Sequence, residues 1–286
     1  MSTQVRHVER IINGSETSDG AGVRLRRYIA SPELDVLDPF LLLDAFRSDN
    51  PDDYIAGFPP HPHRGFETVT YLLQGAMRHK DSAGHEGVIK SGGVQWMTAA
   101  SGIEHSEMPE QVEGMLYGFQ LWVNLPANKK MSEPRYQEFE PEEMSIEHRG
   151  DGAKVRVITG VTSTGVEGMV KDIESSPLYF DVELATGVEF IEAVPQGHNA
   201  FIFLVSGEVE VVSHKSQLIK NDQLAVLSDG NELNIKAKQA SRFLLIAGKP
   251  FKEPIARYGP FVMNTEEEIK QAFTDYRAGK FGSIKE

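Results

Sequence analysis

Hydrophobic and polar residues alternate with a period of two along most of this chain. VRLRRYI (23–29), ETVTYLLQG (67–75), GVQWMTA (93–99), MLYGFQLWVNL (115–125), KVRVITGV (154–161) and LYFDVEL (178–184) carry the pattern. NAFIFLVSGEVEVVS (199–213), QLAVLS (223–228), ELNIKA (232–237) and SRFLLIAG (241–248) continue it. That period sends successive side chains to opposite faces of a strand. The clusters SAG, KSGG, VSGE and SDGNE punctuate the segments as turns. Many short strands at this spacing predict a mainly all-β sandwich or barrel. One stretch near the C-terminus switches to a helical period. Thr265 and Glu268 form a capping box, Ile269, Ala272, Phe273 and Tyr276 share one face, and Gly279 supplies a stop. A weaker helical reading falls on 140–147, where Pro141 and Glu142 precede Met144 and Ile146.

The chain repeats itself. YLLQGAMRH (71–79) matches FLVSGEVEV (203–211), each an apolar strand, a Gly turn and a return strand. KSGGVQWM (90–97) and IKNDQLAVL (219–227) then follow about 20 residues later in each half. Two tandem antiparallel β-barrels are predicted, over 1–135 and 136–286, with a few short helices and the C-terminal helix in the second. The polar stretch 126–153, containing Pro126, Pro134, Pro141, Gly150 and Gly152, reads as the linker. The halves are unequal. Aligning Gly75 with Gly207 puts Ala193 and Pro195 where the first half has His61 and His63. The next turn puts His105 and Glu107 near Asn234 and Lys236, within a residue or two of slip. A lysine there would repel a cation, so the metal is expected in the first barrel and not in the second; His198 alone makes no site.

His61, His63, His105 and Glu107 carry the chemistry. They form two i,i+2 pairs about 40 residues apart. Such spacing places each pair on one face of a strand, and two neighbouring strands would aim three imidazoles and a carboxylate at one point. A lone His-x-His is more often surface or packing; the second pair raises the odds of a metal site. The chain has no cysteine, so any metal is held by nitrogen and oxygen. That donor set suits Fe(II), Mn(II), Ni(II), Cu(II) or Zn(II) and disfavours Ca or Mg. Glu67 shares the face of His63, but a hydrogen bond to Arg64 or a neighbouring strand is the blander reading. Glu104 is expected to point away, and His79 and His85 to be solvated loop residues. Trp96, Met97, Phe119 and Trp122 read as core before they read as cavity walls. Gln120, Trp122 and Asn124 share a face that could line a pocket.

Charge and targeting narrow the classes further. The net charge of −13 argues against direct nucleic-acid binding, and the densest basic spot, Arg24, Arg26 and Arg27, alternates with apolar residues as strand-edge charges do. An acidic surface remains open to a protein partner. No stretch approaches the ~18 apolar residues of a membrane span. MSTQVRHVERIING lacks a secretory apolar core, so a cytoplasmic protein is the default expectation, and a monomer is expected besides.

The strings HPHRGFETVTY (61–71), WMTAASGIEHSEMP (96–109) and DPFLLLDAF (38–46) resemble the pirin family of the cupin superfamily. QGHNAFIFLVSG (196–207) and GPFVMNTEEEI (259–269) extend the resemblance over nearly the whole chain. It implies a bicupin, two antiparallel cupin barrels with one metal in the first. The family's ligand positions fall on His61, His63, His105 and Glu107 without departure. It also implies Fe(II), or another divalent ion, as the one cofactor. Some pirins oxidise the flavonol quercetin; others act as transcriptional co-regulators or bind metabolic enzymes. The expected function is therefore a quercetin 2,3-dioxygenase on a small aromatic substrate, with Glu107 as the catalytic base. The alternative is a metal- or redox-sensing regulatory module that binds a protein partner. A roomy, aromatic-lined cavity favours the enzyme, and a sealed metal favours the sensor.

Overall fold

The computed structural model describes residues 3–111, 113–150 and 152–284. Strands dominate, as the alternation predicts, and they gather into two compact units. Each unit pairs a seven-stranded antiparallel sheet with a four-stranded one. The two predicted cupin units are present, each as a cupin-like β-sandwich whose sheets do not close into a barrel.

In the unit that includes Glu143–Pro250, both sheets send apolar side chains into one core. Phe180, Val155 and Phe243 come from the larger sheet, and Phe190, Val211 and Ile235 from the smaller. In the unit that includes Phe40–Glu142, one apolar cluster joins Phe46, Leu72, Met77 and Ile89, and Leu43, Val69, Trp96, Phe119 and Leu121 are buried as well. Polar side chains, among them His63, His105, Glu107 and Thr70, are buried in the same unit.

The internal repeat holds to the level of single hydrogen bonds. Leu72 and Gly92 exchange a bond (2.6 Å, from the Gly92 N–H) that Leu204 and Asp222 reproduce at 2.9 Å. The turn residues Gly75 and Gly207 have φ of 93° and 89°, a region open to glycine, which lacks Cβ. The strand register corrects the sequence alignment by one residue. His79 faces Glu107, and its repeat counterpart Val211 faces Ile235. Leu233 and Ile235, not Asn234 and Lys236, therefore stand where the first repeat has His105 and Glu107. Both are buried in the apolar core, whereas Lys236 turns outward to pair with Glu189.

The division at residue 135 does not match the packing. The second-half unit takes in Met1–Gly14, with Val8–Ile12 added to the sheet edge Leu224–Leu227. The first-half unit takes in Phe251–Glu286, including the helix Glu266–Arg277 with its Thr265–Glu268 capping box. The expected linker is folded. Arg135–Phe139 pairs with Val94–Thr98, and Ser145–Arg149, which overlaps the segment 140–147 read as helical from sequence, pairs with Ala153–Thr159. The unit boundary falls between Glu142 and Glu143. Periodicity reports which face of a segment is apolar but not which core it covers, so these exchanges left no local signal.

Gly65 fixes where the C-terminal segment meets the first unit. Its φ is 90°, and a Cβ there would lie 1.9 Å from the Val262 carbonyl oxygen. Gly65→Ala is expected to destabilise by more than about 2 kcal/mol, because backbone strain and displacement of Phe261–Met263 add. A denaturant midpoint unchanged from wild type would contradict the close approach.

Among the described residues no helix is long and apolar enough to cross a membrane.

Candidate metal centre

The strand Phe58–His63 (FPPHPH) is an edge strand of the four-stranded sheet. Three prolines withhold N–H donors, which is tolerated at a sheet edge and not within one. The strand pairs antiparallel with Ile103–Pro109, and His105 stands opposite His61. A register shift between His105 and Glu107 marks the ladder there. The rings of His61, His63 and His105 converge, with centroids 4.4–4.9 Å apart. One donor atom from each lies within 4.8 Å of the others. Glu107 is not part of that cluster but lines the same cavity.

Hydrogen bonds decide which nitrogen each ring presents. A carbonyl only accepts, so His61 Nδ1 donates to Pro59 O at 2.8 Å and His63 Nδ1 donates to Pro260 O at 3.3 Å. Both rings thereby keep the Nε2 lone pair free, which is how metal-binding imidazoles are oriented. His105 is fully buried, and neither ring nitrogen has a hydrogen-bond partner. A buried imidazole with no partner is a disfavoured arrangement unless something else takes its lone pair. Burial, and then the neighbouring histidines, push the protonation of His63 and His105 well below the ordinary imidazole range. At neutral pH both are uncharged and available as ligands. These observations fit a divalent cation bound by nitrogen.

Glu107 is held from both sides. The Thr70 hydroxyl lies 2.5 Å from Oε1, and the Gln120 amide donates to Oε2 at 2.7 Å. The cavity has a volume of about 670 Å³, within the 300–1,000 Å³ typical of small-molecule sites. His61, His63 and Glu107 share its wall with Phe58, Gln120 and Trp122.

The other sequence candidates separate cleanly. Gln120 and Trp122 line the cavity, while Asn124 is buried and accepts from Lys130 Nζ at 2.6 Å. Trp96, Met97 and Phe119 are fully buried and are not among the cavity-lining residues. Glu67 accepts from Thr98 on the neighbouring strand at 2.7 Å, and Glu104 accepts from Tyr276 at 2.9 Å. His79 corrects the sequence reading. It sits on the strand Ala76–Asp81, fully buried, with its ring 5.4 Å from that of His105 and stacked on Tyr136 at 5.0 Å. Its Nε2 meets Asp81 Oδ2 at 3.2 Å, and Asp81 also meets the half-exposed His85. Thr70, Pro260 and Arg257 are parts of the site that sequence reasoning missed. The last two arrive from the C-terminal segment.

The model of the pirin family matches residues 22–123, and that of the pirin C-terminal cupin domain matches residues 179–282. The chain belongs to the pirin family. A pirin-like protein of Caulobacter vibrioides is 50% identical over 277 residues, spanning 97% of this chain and 99% of its own length. Pirin of Homo sapiens is 45% identical over 271 residues, spanning 93% of this chain and 91% of its own. A crystal structure of quercetin 2,3-dioxygenase from Acinetobacter baumannii is similar with a TM-score of 0.88 at 35% identity, covering 99% of this chain and 100% of that one. The pirin resemblance drawn from the histidine strings is thus correct, and the histidine cluster of this pirin lies within the part matched by the first model.

Proposed function

We propose that this chain is a metal-dependent dioxygenase of the quercetin 2,3-dioxygenase type. His61, His63, His105 and Glu107 would hold one divalent ion, iron(II) before manganese, nickel, copper or zinc. The observation that carries the reading is the cavity. His61 and His63, two of the three clustered imidazoles, line a space of about 670 Å³ walled in part by Trp122 and Phe58, so a flat aromatic molecule can reach the donor set. A sensor metal sealed from bulky ligands would not need that room. The name of the Acinetobacter baumannii structure supports the same substrate class.

A divalent ion bound here supplies Lewis acidity that makes a coordinated hydroxyl easier to deprotonate and, as iron, a one-electron couple. The chain's own residues do the rest. Glu107 lies two residues beyond His105 and on the cavity wall, and it accepts the proton of the flavonol 3-hydroxyl. Thr70 and Gln120 fix its orientation by donating to its two oxygens. Trp122 supplies part of the apolar wall that the substrate rings meet.

The test is oxygen-dependent loss of flavonol absorbance by protein loaded anaerobically with Fe(II), with His63→Ala alongside. Turnover that vanishes in the variant supports the enzyme; no turnover with metal bound moves the reading to a regulatory module. Glu107→Gln is expected to lower kcat by about 10²–10⁴-fold, the usual contribution of a positioned base. Full turnover by that variant with metal retained would remove the base assignment.

A further inference from the structure

Two arginines line the cavity beside the imidazole cluster, and their surroundings differ. Arg27 is engaged by carboxylates. It donates to both oxygens of Asp44 at 2.8 and 2.7 Å and to Asp19 at 2.8 Å. Arg257 is not so engaged. It arrives on the strand Ala256–Tyr258, and its Cζ lies 4.8 Å from the centre of the Trp122 ring. Among the described residues its side chain makes one hydrogen bond, from Nη1 to the Leu41 carbonyl at 3.1 Å. A guanidinium has five N–H donors, so most of this one is unused. Among the described residues Arg257 forms no ion pair. Asp35, Asp44 and Asp19 act on it only at longer range, while burial and then Arg27 disfavour its charge.

A half-buried guanidinium with spare donors and one face against an indole is arranged as receptors for planar anions are. Its position relative to the cluster is set by Trp122. The His63 ring lies 5.1 Å from the Trp122 ring on an edge-to-face contact, and Arg257 lies 4.8 Å from the same ring. The cluster and the guanidinium are therefore close enough for a single aromatic molecule to reach both along the indole. Asp19 and Asp44 stand on the same wall, but Arg27 binds both and reduces their repulsion of an incoming anion.

We propose that Arg257 forms an anion subsite of this cavity, so that the molecule it takes is an aromatic enol bearing a carboxylate away from the reacting hydroxyl. The subsite rests on the cavity alone. Calling its ligand a substrate rests on the dioxygenase reading.

Tryptophan fluorescence reads the subsite without metal. The chain has two tryptophans, and Trp96 is fully buried, so quenching by a cavity ligand reports Trp122. Metal-free protein is titrated with 4′-carboxy-3-hydroxyflavone and with its methyl ester. The acid is expected to bind about ten- to a hundredfold more tightly than the ester, as a hydrogen-bonded charge pair implies. Arg257→Gln is expected to abolish that preference. Arg257→Lys is expected to retain part of it as a point charge. Equal binding of acid and ester by the unaltered protein overturns the subsite, and so does failure of both to bind. A preference that survives Arg257→Gln also overturns it. The acid–ester contrast needs no variant, so a misfolded Arg257→Gln does not shield the proposal. Iron-loaded turnover is measured in parallel. Selective acid binding without turnover supports the subsite and removes the dioxygenase reading. Turnover of acid and ester with equal kcat/KM does the reverse.

Discussion

Replacing His105 by leucine is expected to abolish metal binding while leaving the metal-free protein no less stable than wild type. The two halves of that result come from one observation. His105 is fully buried and neither nitrogen has a protein partner. Leaving a buried polar group unsatisfied costs about 1–3 kcal/mol, and exchanging it for an apolar group of similar size recovers part of that. Metal-free His105→Leu is therefore expected to gain on the order of 1 kcal/mol. With metal the sign reverses. Losing a partner that merely orients a ligand weakens a site by about 10–100-fold, and losing the ligand itself exceeds that. Wild type at a metal concentration 1,000 times Kd gains about 4 kcal/mol, a gain that the variant forfeits. Thermal melts with and without Fe(II), Ni(II) or Zn(II) separate the cases. A large metal-induced rise in Tm is expected for wild type and none for the variant. If His105→Leu loses several kcal/mol without metal, the histidine is a packing residue and the reading of the cluster is wrong.

Part of this site is legible in the sequence. The i,i+2 spacing of His61 with His63 sets their shared face, and antiparallel pairing brings His105 opposite His61. Strand periodicity and the Gly-marked turns are local, so the two-sheet repeat could also be read. His79 shows a signal that was present and missed. Aligning MRH with VEV puts His79 on Val211, an inward position of the return strand, yet the SAG turn that follows suggested a loop. The contribution of the C-terminal segment had no such signal. Pro260 reaches His63 across 197 residues, and Asp275 reaches Arg64 across 211. The amphipathic pattern of the helix predicts that one face is covered, not which core covers it. Arg27 illustrates the same limit, since a residue read as a strand-edge charge lies against Asp44 at the cavity wall.

The largest expected loss of stability lies at that long-range contact. Arg64 and Asp275 form a buried ion pair at 2.9 Å, their side chains 4% and 8% exposed. Arg64 Nε also donates to the Ser101 carbonyl at 2.6 Å, and its Cζ lies 4.5 Å from the centre of the Phe281 ring. Asp275 is further bound by Lys280 at 2.8 Å and Gln271 at 2.9 Å. Lys130, its ammonium pushed down to about 8 by burial, ties Gly65 to Val262 beside this pair. Arg64→Ala leaves a carboxylate without its buried cation, and Asp275→Asn leaves the cation without its carboxylate. Each is expected to destabilise by about 3–5 kcal/mol in urea unfolding. Arg64→Met with Asp275→Leu together is expected to recover a good part of either loss, because no uncompensated charge remains. A loss under about 1 kcal/mol, as at a surface pair, would show that the helix is not clamped here. Acid gives an independent check. Lys280 first, then Arg64 and Gln271, hold the Asp275 carboxyl below the usual carboxylate range. The stability that this adds is complete above the unfolded-state value near pH 4 and is lost as the pH falls through the lower folded value. Wild type should therefore lose part of its margin in that acid window, and Asp275→Asn should show a smaller slope. The pair also acts on the metal centre. Arg64 follows His63 directly, and the segment it anchors carries the Pro260 carbonyl that accepts from His63 Nδ1. Loosening the segment frees that imidazole to rotate, so Asp275→Asn is expected to weaken metal affinity by about 10–100-fold although it touches no ligand.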